Sequence, residues 1–151
     1  MSEIMIIRKV NDRLDTNLIR SLVEESLSEG HRHLQRLVHD YEAGTNLFDQ
    51  PGEALFIAYR GGEIIGICGL NRDPNEHRSE TGRVRRLYVT PQTRRYGVGR
   101  QLMKEVISEA RLHYPLLILR TDNPAADLFY RSLGFSVEPD SEHYSHYLQL
   151  V

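Results

Sequence analysis

The chain contains no tryptophan, one cysteine and no apolar run long enough to cross a bilayer. Each shortage excludes something. Cys68 alone cannot close an internal disulfide, and without a cysteine cluster there is no thiolate zinc site, which fits a reducing compartment. It lies inside an apolar run, where a thiol packs rather than reacts. Met1 to Arg8 holds too short an apolar stretch and too little basic lead-in for a signal peptide, so a cytoplasmic location is expected. A formal net charge of −2 and a pI near 6.4 give no bulk attraction to nucleic acid or to an anionic membrane. His31, His33, His39, His143 and His146 stand at no recognised ligand spacing with acidic or cysteine partners, so no metal is expected.

With 151 residues, 40% hydrophobic and 26% charged, the composition is that of one soluble domain over 1–151. No repeat or Pro/Ser-rich linker divides it. Ile4, Ile6 and Val10, at one parity, suggest an opening strand. Asp15 or Thr16 caps a helix through Leu18, Ile19, Leu22 and Val23, and Leu34, Leu37, Val38 and Tyr41 form the apolar stripe of a second helix after Gly30. Ala54 to Tyr59 and Glu63 to Leu70 make a hairpin through Arg60-Gly61-Gly62. Asn71 to Gly82 is polar and reads as a loop, followed by a strand from Arg83 to Thr90. In that strand Leu87 and Val89 share one parity and Val84 has the other, which predicts a β-bulge between them. A helix follows, with Val98, Leu102, Val106, Ile107 and Ala110 on its inner face, and Leu116 to Arg120 is a buried strand, completing a βαβ unit. Asn123 is placed to cap a helix with Pro124 at its first position, Ala125, Phe129 and Leu133 along one face, and Gly134 as terminator. Phe135 to Val137 and Ser145 to Val151 supply the last strands of an α/β domain with a mixed sheet.

The densest chemical signal is Leu87-Tyr88-Val89-Thr90-Pro91 followed by Arg94-Arg95-Tyr96-Gly97-Val98-Gly99, where a strand ends and an amphipathic helix begins. The first N–H groups of a helix lack internal partners and carry the positive end of its dipole, so they suit phosphate oxygens. Gly97 and Gly99 have no Cβ to hold an anion away, and Arg94, Arg95 and Arg100 add charge beside them. No Gly-Lys-Ser/Thr ending and no three-glycine fingerprint is present, which argues against a bare nucleoside triphosphate or NAD. Arg83, Arg85, Arg86, Arg94 and Arg95 are dense beside this turn without any nucleic-acid module, so a phosphate-rich coenzyme explains them better than nucleic acid does.

This run resembles the acyl-CoA-binding motif of the GNAT N-acetyltransferase family, and Asn123 through Phe135 resembles that family's second motif in the right order. The resemblance implies an α/β (α+β) fold with a mixed, mainly antiparallel central sheet flanked by helices. It implies acetyl-CoA as cosubstrate and direct transfer of the acetyl group to a primary amine. Residue by residue, the backbone of Leu87, Tyr88 and Val89 would meet the pantetheine arm and the acyl carbonyl. Arg94, Arg95, Tyr96, Gly97, Val98, Gly99 and Arg100 would hold the pyrophosphate, although Arg95 stands where many members have glycine. Asn123 would hydrogen-bond the pantetheine besides capping its helix. Tyr130 would protonate the departing thiolate, since a phenol keeps its proton at neutral pH.

Removal of the acceptor's proton is less well marked. Glu80, just before the central strand, is the first candidate base, with Glu25, Glu53 and Asp73 behind it. The acceptor is expected to be chosen by the N-terminal helices and the 71–82 loop, with a small amine favoured over a protein lysine or N-terminus. A non-catalytic acyl-CoA-binding or sensing module is the alternative from another class. A homodimer stays open beside a monomer.

Overall fold

The computed structural model describes residues 4–75 and 80–151. β1 (Met5–Lys9) is followed by a short 3-10 turn (Thr16–Ile19), α1 (Arg20–Ser28) and α2 (His33–Ala43). β2 (Ala54–Arg60), β3 (Glu63–Arg72) and β4 (Thr81–Val89) lead to a second 3-10 turn (Pro91–Tyr96) and α3 (Val98–Arg111). β5 (Leu116–Leu119), α4 (Pro124–Ser132), β6 (Ser136–Val137) and β7 (His146–Gln149) complete the chain. They form one seven-stranded sheet in the order β1-β2-β3-β4-β5-β7-β6, antiparallel at every pairing except β4 with β5. The expected mixed, mainly antiparallel sheet flanked by helices is therefore what the chain builds.

Both faces of the sheet are covered, which is why β2 is buried almost without alternation. Its Ala54, Phe56 and Ala58 join Val98, Leu102, Val106 and Leu117 beneath α3. Its Leu55 and Ile57 join Ile19, Leu22, Leu34, Leu37 and Tyr41 beneath α1 and α2. The hairpin turn is as the sequence required, with Gly61 and Gly62 both at positive φ. At Gly66 an added Cβ would lie 3.0 Å from Leu102 Cδ1 and 3.2 Å from the Tyr88 carbonyl, so the missing side chain lets α3 settle close against β3 and β4.

The opening strand is present as β1, and it is Met5 and Ile7 that pack inward, while Ile4 and Ile6 are exposed, because apolar residues at successive positions leave the buried parity undetermined. Two local expectations need correction. β3 continues through Asn71 and Arg72, which pair with Arg83 and Gly82, so polar residues extend a strand beyond its apolar run. In α4 the inward residues are Ala126, Phe129, Tyr130 and Leu133, and Ala125 faces solvent.

Candidate active site

The anticipated β-bulge is present. Ile67 pairs with Tyr88 and Gly69 with Arg85, so Arg86 and Leu87 together oppose Cys68, and Arg86 takes φ 64°. That backbone region costs a non-glycine residue about 1–3 kcal/mol and is held here by the surrounding sheet. β4 has parted from β5 before the bulge is reached, since their pairing covers only Thr81–Arg83 with Leu116–Ile118. Tyr88 is in register with Ile67, and the Thr90 N–H donates to the Ile65 carbonyl at 2.9 Å. By alternation the N–H and C=O of Leu87 and Val89 leave the strand on the opposite edge, toward the splay. Backbone donors thus line a wedge between β4 and β5.

The glycine turn stands at the end of the same strand. Gly97 takes φ 78°, a conformation that glycine adopts without strain, and turns the chain from the 3-10 segment into α3. The Gln101 N–H donates to the Gly97 carbonyl at 3.0 Å, so the N–H groups of Val98, Gly99 and Arg100 precede the first intrahelical bond. Val98 is buried and anchors this end, while Tyr96 is exposed beneath the Arg60 guanidinium, 5.4 Å from its ring centroid. Arg100 donates to Ser132 Oγ at 2.8 Å, and Arg95 is exposed. Arg94 is differently engaged. Its Nε donates to the Val89 carbonyl at 3.0 Å, and its two terminal nitrogens donate to Glu29 at 2.6 and 2.8 Å. The cations best placed to turn toward an anion here are therefore Arg95 and Arg100.

Tyr130, on α4, is packed edge-on between Phe129 and Phe135 with ring centroids 5.2 and 5.8 Å away. Burial pushes its phenol up, and nearby Cys68 adds to the effect, so it is a firmly protonated donor. Cys68 is itself fully buried, and its thiol is pushed up by desolvation, as expected of a packing residue. Asn123 is the N-cap of α4: its Oδ1 accepts the Ala125 N–H at 2.9 Å. The cap uses the carbonyl end of the side chain and leaves the amide end as a donor. Asn123 also lines a cleft of about 430 Å³ with Thr121, Asp127, Tyr144, Ser145 and His146.

On the other face of the bulge is an arrangement that sequence reasoning missed. The elbow between α1 and α2 reaches β4 at two points. Glu29 receives Arg94 and also the Tyr88 hydroxyl at 2.6 Å, and these hydrogen bonds, Arg94's first, hold its carboxyl at about 2. His33 Nε2 lies 3.2 Å from the Leu87 carbonyl. The partners are separated by 54 to 65 residues, so no short motif could have announced them.

The candidate bases do not converge there, Glu25 excepted. Glu80 is exposed and precedes β4, so at strand rise it lies roughly 20 Å from the bulge, at the wrong end of the strand. Glu53 is spent on the Asn71 amide and the Arg72 N–H. Asp73 is buried against His143 at 2.8 Å and Arg83 at 3.9 Å, tying the segment before β7 to the end of β3. Residues 76–79, within the loop expected to choose the acceptor, lie outside the described residues. Arg83, Arg86 and Arg94, read together as a basic run, are each paired with a carboxylate. Among the described residues no cluster of histidine, cysteine and acidic side chains could hold a metal.

A model of the acetyltransferase (GNAT) domain matches residues 51–137. N-alpha-acetyltransferase RimI of Mycobacterium tuberculosis is 37% identical over 82 residues, which are 52% of this chain and 49% of that protein. The match thus spans about half the length of that relative. A protein of Exiguobacterium sp. 255-15 assigned to the acetyltransferases is 31% identical, with a TM-score of 0.86 over 97% of this chain and 93% of its own. YncA of Salmonella typhimurium, solved with its cofactor acetyl-CoA, shares the fold at 20% identity and a TM-score of 0.70, covering 97% of this chain and 94% of its own. The glycine turn, the bulged and splayed strand and the α4 cap all lie within the stretch that the domain model matches, and the chain belongs to the GNAT acetyltransferase family.

Proposed function

We propose that the protein is an acetyl-CoA-dependent N-acetyltransferase acting on a primary amine by direct attack, without a covalent acyl-enzyme. The observation that carries this reading is the succession, along β4 and the turn that follows it, of an open backbone edge at Leu87 and Val89 and of a helix start at Gly97 to Arg100 whose first N–H groups lack intrahelical partners. The pyrophosphate takes the N–H groups at the start of α3, with Arg95 and Arg100 near it. The pantetheine runs along the splayed edge of β4 and receives the amide end of Asn123. Its acyl oxygen accepts a backbone N–H from Leu87 or Val89, a donor fixed in place before charge develops on that oxygen.

The amine nitrogen attacks the acyl carbon, and the tetrahedral adduct collapses by breaking the carbon–sulfur bond. Tyr130 donates its proton to the departing sulfur, and the phenolate recovers one from the nitrogen side through water. A small amine is our first choice of acceptor, and the N-alpha-acetyltransferase relative keeps a protein N-terminus beside it. Calorimetric titration with CoA, followed by thiol release over a panel of polyamines, amino acids, aminoglycosides and peptides, tests the reading. Saturable CoA binding and turnover with at least one amine are expected. Binding without turnover across the panel would favour an acyl-CoA sensor, and absence of binding would remove both.

A further inference from the structure

The histidine at the elbow stands beside the very peptide that is to meet the acyl group. In a β-strand the N–H and C=O of one residue leave on the same edge, so the Leu87 carbonyl bonded by His33 lies on the edge that carries the Leu87 and Val89 donors. A carbonyl oxygen only accepts, so His33 Nε2 must carry the proton, and the neutral ring then keeps its lone pair on Nδ1. We propose that His33 is the general base of the transfer, its Nδ1 taking a proton from the acceptor's ammonium beside Leu87. The assignment rests on the acetyltransferase reading above.

The surroundings suit that task. His33 is half-buried, and desolvation lowers its affinity for a proton; the Leu87 hydrogen bond works against this, and the charges of His31 in the elbow, Arg86 on β4 and Arg36 on α2 add to it, so the net shift is downward. The Tyr88 ring, with centroid 6.1 Å away, is its neighbour from the strand. The imidazole therefore holds a proton less firmly than an ordinary histidine does. Glu25, on α1, supplies an independent sign that a cation is received here. Its Oε1 is the one buried side-chain oxygen among the described residues without a hydrogen-bond partner, and its charge acts on both Tyr88 and Arg94. An acceptor ammonium beside Tyr88 would satisfy that oxygen before giving up its proton. The protons balance: one leaves the ammonium for His33 and then water, and the second leaves nitrogen as the adduct collapses, replacing the one Tyr130 gives to sulfur.

His33→Gln keeps an N–H donor for the Leu87 carbonyl and removes the base. With any amine from the panel that turns over, it should lower kcat/KM about 10²–10⁴-fold. It should also abolish the acidic limb of the pH–rate profile, which in the parent falls below the ordinary histidine value near 6.5. CoA affinity should hold. Glu25→Gln should raise the acceptor's KM several-fold with little change in kcat. Nitrogen-15 NMR of the CoA-bound protein, which needs no acceptor, should show His33 neutral at pH 7 with its proton on Nε2. An Nδ1 tautomer, an imidazolium at that pH, an acidic limb that survives His33→Gln, or an acceptor KM unmoved by Glu25→Gln would each overturn the base at the elbow while leaving acetyl transfer standing. Failure of the parent to turn over any amine while still binding CoA would instead overturn the acetyltransferase reading, and the base with it.

Discussion

The two sides of the β4 bulge are built in different ways. On the coenzyme side, strand, glycine turn, α3 and α4 follow one another in sequence, and the groups aimed at the wedge are mostly backbone N–H. On the elbow side, Glu29 and His33 reach Tyr88, Arg94 and Leu87 across 54 to 65 residues, and the groups are side chains. A backbone-made site needs glycine where the chain turns, an arginine nearby and a helix behind, so it leaves a local pattern. A side-chain site needs only that the sheet bring distant residues together, and it leaves none.

The sharpest test of the coenzyme side is Tyr130, the acid proposed for the departing sulfur. Tyr130→Phe keeps the ring among Phe129, Phe135 and His146 and deletes only the hydroxyl. Turnover should fall about 10²–10⁴-fold, with CoA affinity and the Michaelis constants nearly unchanged. An acyl donor with a leaving group of lower pKa should recover part of the loss. Equal rates for parent and variant with both donors would reduce Tyr130 to packing.

The same contrast explains which parts of the molecule are legible in the amino-acid sequence. The hairpin at Gly61-Gly62, the bulge between Val84 and Leu87, α3 and the Asn123 cap can all be read there, because each depends on residues within a few positions of one another. Parity fails in β1, where consecutive apolar residues satisfy either face, and strand length fails at Asn71 and Arg72, whose partners rather than composition extend β3. Glu80 is close to the central strand in sequence, which makes it look like a base. Direction along the strand decides otherwise, because it puts Glu80 at the end away from the bulge.

The elbow side breaks at Glu29. Removing it as Glu29→Ala frees Arg94 and the Tyr88 hydroxyl together. Charged hydrogen bonds contribute about 1.5–3 kcal/mol each, less where solvent reaches them as it does here. A rise in acceptor KM of about tenfold is expected, with CoA affinity little changed. Acid should mimic the substitution. The Glu29 carboxyl is held at about 2 against an ordinary 4.5, so its stabilisation is complete above 4.5 and lost as pH falls through 2. Amide exchange at the end of α1 should accelerate over that window in the parent and not in Glu29→Ala. Equal loss of CoA affinity in the variant would merge the two sides into one site.

A smaller effect is expected at the anion turn. Gly97→Ala places a Cβ at φ 78°, where nothing lies within 4 Å of it, so the cost is backbone strain of about 1 kcal/mol rather than collision. Thermal stability should fall slightly, and CoA affinity by about three- to tenfold as the first turn of α3 shifts. Unchanged affinity for CoA would move the pyrophosphate away from this turn.

The smallest effect separates two duties of a single side chain. Asn123 caps α4 through Oδ1, accepting the Ala125 N–H, and the amide nitrogen is the end proposed for the pantetheine. Asn123→Asp preserves the cap, since aspartate caps as well as asparagine and its charge is favourable at a helix start. The melting temperature should therefore hold or rise slightly. The donor, however, becomes an acceptor, and one neutral hydrogen bond contributes about 0.5–1.5 kcal/mol. CoA should bind roughly two- to tenfold more weakly, with a fragment ending at the pyrophosphate unaffected. Asn123→Ala should lose both the cap and the contact, lowering stability by about 0.5–2 kcal/mol besides. If Asn123→Asp binds CoA as the parent does while Asn123→Ala is destabilised, the residue is only a cap. The pantetheine would then be held by the splayed backbone of β4 alone.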